Sequence, residues 1–500
     1  MGDLRTALVS VYDKTGIGDF ARALNGAGIE IIASGGTGAH LKTAGIDCED
    51  ISRTTGKATL LGGLVKTLHP AIHAGILADR ANPAHMEELA ALGYRKIDLV
   101  VVNFYALPDQ PRGEDLSFID IGGPAMARAA AKNFGSCVPV SDPSWYGPVA
   151  TELAANGQVA GDLRWRLARD TLARTAAYDA RVLQLVGSDE SALRLGLAKC
   201  LDLRYGENPH QRAGFYTSDG ECPFAVLKGS LSYNNILDLD CCMGQLAEFD
   251  SRAAVVVKHV GPCGVAQSES SVGALEGAYN CDPVSAYGGV IGVNFCFDAE
   301  CAAFLAKRFV ECIVAPAFDE AALAMLAKKK SRLVVAEAGV PTADALGGLV
   351  LRSAAGGVLA QTRDSLLVAD GLKFASGAEP TPAILGDLIF AWKVAKHAKS
   401  NAIVFARDGR TLGIGSGQPS RVDSTRIAIV KAVQAGHDIR GSVMASDGFF
   451  PFADSVELAA VAGAVAVIQP GGSIRDEEVI AAAKKLGITM ALTSIRHFKH

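Results

Sequence analysis

The strongest constraint on the fold of this chain is the alternation, over its first 150 residues, of short unbroken apolar runs with helical patterns. TALVSV, IEIIAS, KIDLVVVNFY and CVPV show almost no polar alternation, which marks strands covered on both faces. Between them, GIGDFARALNGAG and GGPAMARAAAKN carry helical spacing. The first closes on glycines and the second opens with Pro124 in its first turn. GGTGAHLKTAG reads as a turn into a short helix. Such a pattern predicts an α/β fold with a parallel, doubly wound sheet, whose ligands bind beyond the carboxyl ends of the strands.

Five hundred residues exceed one ordinary core. A long amphipathic helix, Asp162 to Gly187, follows the first sheet, and its arginines read as a solvated face. We place the domain boundary after it, giving domains 1–190 and 191–500. The second mixes short apolar strands with alanine-rich helices. A faint echo between VVVKHVGPCGVA and VAKHAKSNAIVFA suggests two similar subdomains there. A 49% hydrophobic, 20% charged composition with 54 glycines fits a soluble α/β enzyme. The net charge of −5, with no basic block, argues against nucleic-acid binding. Eleven cysteines without a C-x-x-C pair indicate reduced thiols and a cytoplasmic protein. The start has no apolar leader, and the longest apolar run, LAAVAGAVAVI, is too short for a membrane span.

Polar residues cluster where the predicted strands of the first domain end. Ser10 and Lys14 follow the first, Ser34-Gly35-Gly36-Thr37 the second, and Asn103 and Tyr105 the third. Asp120 and Gly122 precede the helix that carries Lys132. A glycine-rich turn feeding a helix N-terminus suits a phosphate, so this rim predicts a phosphorylated ligand. GGLVKTLHPAIHAG adds Lys66 and Thr67, then His69 and His73 four apart. No glutamate stands between the histidines, so the zinc-peptidase pattern is absent and no metal is expected. TTGKAT lacks the first glycine of a phosphate-binding loop.

Other islands mark the second domain. In AAVVVKHVGPCGVA an apolar strand runs into Lys258 and His259 before Gly261-Pro262. Neighbours on a regular strand face opposite ways, so the pair can share a site only if the pleat ends there, and Gly261-Pro262 is the predicted break. LRYGENPHQ concentrates Arg204 and Tyr205, and KSNAIV places Asn401 at the mouth of a strand. GIGSGQPSR has Gln418 where a dinucleotide fingerprint needs glycine or alanine. ASDGFFPFADS sets Asp447 beside three phenylalanines, a loop whose rings can sandwich a flat ligand.

Taken in order, SVYDKTG, SGGT, VKTLHPAIHAGIL, IDIGGPAMARAAAKN, LRYGENPHQ, KHVGPCG, DPVSAYGG, SNAIV, IGIGSGQPSR, ASDGFFPF and RHFKH resemble the bifunctional purine-biosynthesis family that joins AICAR transformylase to IMP cyclohydrolase. (AICAR is 5-aminoimidazole-4-carboxamide ribonucleotide.) The resemblance spans essentially the whole chain. It implies a methylglyoxal-synthase-like first domain and a cytidine-deaminase-like second domain without that fold's zinc. It also implies a homodimer with transformylase sites at the subunit interface. Carried over by motif, Lys66, Tyr105, Asp120 and Lys132 would serve cyclisation. Ser10, Lys14, Ser34, Gly36, Thr37, Thr67, Asn103 and Gly122 would bind the nucleotide. Lys258, His259 and Asn401 would catalyse formyl transfer. Arg204, Tyr205, Asn235, Gln418 and Arg496 would hold AICAR, while Tyr287, Gly288, Glu311, Asp447 and Phe450 would lie around the folate. The family usually reads GGRVKTLHP, but here Leu64 replaces the arginine. Leucine makes no charge-assisted hydrogen bond, which predicts weaker nucleotide binding in the cyclohydrolase site unless Lys14 or another cation compensates.

The implied chemistry is formyl transfer from 10-formyltetrahydrofolate to the amine of AICAR, then dehydrative closure of formylated AICAR to IMP. His259 suits the base that takes the amine proton, and Lys258 suits electrostatic stabilisation. Asn401 would orient the substrate amide or the histidine. Ring closure is intramolecular, so orientation carries much of it. Two rivals stay open at this point: an oxidoreductase using GIGSG, and a sensor that binds a nucleotide without chemistry. The sequence does not specify a monovalent ion such as potassium.

Overall fold

The computed structural model describes residues 4–56, 60–108, 113–187, 193, 195–218, 220–329, 334–339, 348–369 and 371–500. The chain divides into two compact units, Met1–Leu197 and Ala198–His500. The boundary expected between residues 190 and 191, and the end of TTGKAT, lie outside the described residues.

The first unit contains the expected parallel sheet. Its strands are β1 (Thr6–Ser10), β2 (Glu30–Ala33), β3 (Glu49–Asp50), β4 (Leu99–Val102) and β5 (Val138–Val140), in the order β3-β2-β1-β4-β5. All pairings are parallel. Alternate residues enter two separate cores: Val9, Leu99 and Val101 on one face, Leu8, Val100 and Val102 on the other. That double burial is why these strands read as continuous apolar runs. The strand order reverses between β1 and β4, which opens a crevice beyond their carboxyl ends.

The second unit is an internal repeat. Outside its main sheet lie two separate hairpins, β6 (Ala198–Leu203) with β7 (Ala213–Thr217), and β14 (Leu349–Ala354) with β15 (Gly357–Thr362). One half of the main sheet comprises β8 (Ala225–Lys228), β9 (Ala253–Lys258), β10 (Gly261–Gln267), β11 (Val290–Val293), β12 (Cys312–Ala315) and β13 (Val334–Glu337). The other comprises β16 (Lys373–Ser376), β17 (Ile403–Arg407), β18 (Arg410–Gly415), β19 (Val443–Ser446), β20 (Ala466–Gln469) and β21 (Thr489–Leu492). In each half a hairpin (β9–β10, β17–β18) pairs antiparallel with a set of three parallel strands, and a further antiparallel strand closes the set. The halves meet where β10 runs antiparallel to β18. Val255, Val257, Val404 and Ala406 enter one shared core, while the opposite face has a separate core for each half.

The repeat is therefore present, but not where the sequence echo put it. The counterpart of strand β9 is β17, whereas Lys396 and His397 close the helix Pro382–His397. There Lys396 pairs with Glu248 at 2.8 Å, and His397 shares the same carboxylate at 3.0 Å. Helical and strand segments with the same lysine-histidine pair are indistinguishable by a short match.

Candidate active sites

In the first unit the predicted polar residues gather at the crevice. Ser10 ends β1, and its hydroxyl lies 2.7 Å from that of Ser34. Ser34 is the N-cap residue of the helix Gly35–Thr43 but makes no side-chain cap, so the helix dipole and its first amides stay available to an anion. A Cβ on Gly35 would lie 3.8 Å from Lys66 Nζ, so the ammonium sits beside that helix end. Thr37 is tied down: its hydroxyl accepts from the Val11 amide at 3.1 Å and donates to the Val11 carbonyl at 3.0 Å. Asn103, at the end of β4, reaches across the crevice. Its oxygen accepts from the Tyr12 and Asp13 amides, and its amide donates to the Asp13 carbonyl at 2.9 Å. Lys14 bonds the Val11 and Tyr12 carbonyls, and burial lowers its pKa. The Tyr105 ring lies 5.5 Å from that of Tyr12 and is half exposed.

Asp120 is buried at the mouth of the helix Gly122–Lys132. Burial pushes its carboxyl above the ordinary value, against opposing hydrogen bonds from the amides of Gly123, Tyr105 and Gly122. Its own amide donates to the Tyr178 hydroxyl at 2.8 Å. Thr67 is buried against Gly122, where an added Cβ would fall 2.7 Å from its hydroxyl. Gly36 is exposed in the first turn of the Gly35–Thr43 helix.

Lys132 is set apart from this cluster. It is exposed at the far end of the Gly122–Lys132 helix, a rise of about 15 Å from the Asp120 end. Leu64 is 82% exposed, beside exposed Leu60 and Leu61. His69 caps the helix Pro70–Leu77 by accepting from the Ala71 amide, and burial lowers the pKa of His73. Among the described residues, no group of three His, Cys, Asp or Glu is arranged to hold a metal.

In the second unit the strand does end at Lys258, although not at Gly261-Pro262. β9 and β10 are joined by the two residues His259 and Val260, both left-handed (φ 55° and 60°), and Gly261 pairs back onto Lys258. Gly261 and Pro262 already belong to β10. Positive φ at both central residues is the twist a two-residue hairpin needs, but it is costly for a β-branched side chain. The reversal leaves His259 exposed, Lys258 half-buried and Val260 packed against the shared core. Lys258 Nζ donates to the Tyr287 carbonyl at 2.7 Å. Gly288 is left-handed (φ 74°) and donates to Phe309, while Tyr287 is 61% exposed with its ring 5.1 Å from that of Phe309. Glu311, which precedes β12, donates its amide to Gly289. These residues therefore share one rim of the sheet.

Asn401 lies on the same rim at the start of β17. Its amide nitrogen donates to the carbonyls of Gln418 and Pro419, and its oxygen accepts from Arg421 at 2.8 Å. Arg421, 7% exposed, also bonds Ser446 and forms a buried ion pair with Asp447. Asp447 in turn accepts from the Ala402 amide at 3.0 Å. Three strand spacings, about 14 Å, separate β17 from β9, and both amide protons of Asn401 are taken, which leaves its oxygen one further lone pair. No hydrogen bond joins Asn401 to His259 among the described residues.

Two residues assigned to the folate are buried instead. Asp447 is 0% exposed within the Arg421 network, and Phe450 is 0% exposed in the core. The accessible rings of FFPF are Phe449 and Phe452. Asn235 is also buried, its oxygen closing a capping box with Ser232 on the helix Tyr233–Leu246. Arg204 and Arg496 are exposed, with guanidinium groups over the rings of Tyr205 (5.6 Å) and Phe498 (4.6 Å). Sequence reasoning passed over Arg421, although it carried a signal. An arginine in the first turn of a helix opposes the dipole, so it implies a specific acidic partner.

Residues 16–123 match the MGS-like domain, and residues 130–431 match the family described as AICARFT/IMPCHase bienzyme. The chain is 46% identical to the bifunctional purine biosynthesis protein PurH of Mesorhizobium japonicum, over 99% of this chain and 97% of that one. It is 43% identical to the protein of the same name from Magnetococcus marinus over the whole of both. A solved structure described as the crystal structure of ForH is 37% identical, covers 37% of this chain and all of its own, and has a TM-score of 0.35. With two family matches in chain order and full-length identity well above 30%, the chain belongs to the AICARFT/IMPCHase bienzyme family of purine biosynthesis.

Proposed function

We propose that the family's two activities are divided between the two units, the second formylating AICAR and the first closing the formylated product to IMP. The observation that carries formyl transfer is the left-handed turn that ends β9 and sets Lys258 and His259 at an open strand end. The co-substrate is a folate, read as 10-formyltetrahydrofolate. The AICAR amine nitrogen bonds to the formyl carbon as the bond from that carbon to folate N10 breaks. His259 takes the amine proton and returns it to the departing N10, while Lys258 steadies the negative oxygen of the intermediate. Arg204, Tyr205, Gln418 and Arg496 border the AICAR subsite, with Asn235 beneath it. Tyr287, Gly288 and Glu311 border the folate subsite. Asn401, held by Arg421, fixes a substrate amide.

In ring closure the carboxamide nitrogen bonds to the formyl carbon and water leaves. Asp120, with its carboxyl raised by burial, is suited to hold the proton that the departing oxygen needs. Lys66 and the open helix end at Gly35–Gly36 receive negative charge, and Tyr105 closes over the base. Lys132, exposed at the far end of its helix, stands outside this cluster and is given no step. A homodimer fits the remaining facts. Two-stranded hairpins are marginal alone, yet β14–β15 exposes Val358 and Leu359 at 57% and 62%. A composite site would also place Asn401 of one copy near His259 of another.

The test follows AICAR and 10-formyltetrahydrofolate spectroscopically through to IMP. Lys258→Ala and His259→Ala should each lower formyl transfer by about 10²–10⁴ and leave closure of supplied formyl-AICAR intact. Unchanged turnover in both would sink the assignment. Leu64→Arg should lower the cyclohydrolase KM, and an unchanged KM would remove the phosphate argument.

A further inference from the structure

We propose that Asp238, on the helix Tyr233–Leu246, is a positioning residue for formyl transfer, a latch that holds the His259-Val260 turn in its left-handed form. The inference rests on the reading that Lys258 and His259 carry that reaction. Asp238 Oδ1 accepts from the Val260 amide at 2.7 Å. Burial pushes the carboxyl up, and the Val260 amide, His259 and the His259 amide oppose it.

The internal repeat supplies a built-in control. The equivalent turn between β17 and β18 is Asp408-Gly409, also left-handed at both positions (φ 55° and 66°). It is latched in the same way, by Asp387 on the helix Pro382–His397, whose two oxygens accept from the Asp408 and Gly409 amides at 3.0 and 2.8 Å. Asp387 is the sixth residue of its helix, as Asp238 is of its own. Asp-Gly adopts this turn readily, whereas His-Val does not. The same latch is therefore redundant in one half and necessary in the other. Without it, Val260 relaxes toward negative φ, the hairpin untwists, and His259 and Lys258 are displaced from their places at the strand end.

The experiment measures steady-state formyl transfer for Asp238→Ala, Asp238→Asn, Val260→Gly, the double variant Asp238→Ala/Val260→Gly, and Asp387→Ala. A displacement of about 1 Å at a catalytic group costs on the order of 100-fold in rate. Asp238→Ala should therefore lower kcat by about 10- to 100-fold, with KM for both substrates and the cyclohydrolase rate held. Asp238→Asn, whose amide oxygen still accepts from Val260, should keep most of the rate. In the double variant glycine takes up the turn without a latch and should recover most of the loss. Asp387→Ala should leave kcat unchanged. The latch is overturned if Asp238→Ala keeps the parental kcat, or if the double variant is no faster than Asp238→Ala. Where Asp238→Ala alone does not fold, the double variant decides: folded and active supports the latch, and any other result overturns it. Parental activity in His259→Ala would instead overturn the underlying reading.

Discussion

The two rims of the large sheet are related by the internal repeat and share their backbone devices, yet they are built from different residues. The Lys258 rim has a His-Val turn, and the opposite rim has Asp408-Gly409. On the Lys258 rim Asp447 follows β19 and accepts from the Ala402 amide at 3.0 Å. On the opposite rim Asn294 follows β11 and accepts from the Ala253 amide at 2.8 Å. Asn294 completes its set with carbonyls of Phe249 and Ser251. Asp447 is instead committed to Arg421, and through it to Asn401. One rim thus uses residues that suit their conformations, and the other accepts a strained turn and a buried ion pair. Such costs concentrate where chemistry requires them.

The largest expected difference between the rims is electrostatic. Asp447→Asn keeps the amide acceptor but strands the Arg421 guanidinium, which should destabilise the second unit by about 3–5 kcal/mol. Asn294→Ala, which removes neutral hydrogen bonds only, should lose about 1–2 kcal/mol. Equal losses in urea unfolding would break the comparison. The next difference is conformational. Gly409→Val meets only ordinary contacts, at 3.8 and 3.9 Å, so its cost of about 1–2 kcal/mol would come from the left-handed backbone itself. Formyl transfer should be unaffected, and a neutral Gly409→Val would mean that Val260 is not strained either. The smallest effect is a pH dependence. Because burial, the leading cause, raises the Asp238 pKa above 3.8, its contribution is full below that value and is lost as pH rises through the folded value. Asp238→Asn should therefore gain stability relative to the parent as pH rises above 3.8, and the opposite trend in urea midpoints would contradict it.

Local patterning made the first unit's sheet legible, because double burial leaves runs such as DLVVV with no alternative reading. The chain reverses two residues before the predicted break. Gly261-Pro262 carries the turn signal, but a side chain from a distant helix stabilises a reversal at His259-Val260 instead. That stabilisation is non-local, and no pattern near residue 259 announces it. Lys132 was drawn to Asp120 by a shared motif, while the helix between them separates them in space. FFPF reads as a loop of three rings, but which of them face outward depends on packing against β20, where Phe450 is buried. Eight of the eleven thiols are buried, Cys200 is half-buried, and Cys222 and Cys296 are exposed.

At the seam between the halves, Thr411 accepts from the Val265 amide at 2.9 Å and donates to the Val265 carbonyl at 3.1 Å. One hydroxyl thus takes the place of a pair of ladder bonds. A two-residue slip there would keep every side chain on its proper face and leave the cores of both halves intact. It would nevertheless carry the Ser416–Gln418 segment about 7 Å past the Lys258 turn. Registry at this point is therefore set by a particular side chain, and with it the choice of which residues from the two halves stand level along the Lys258 rim.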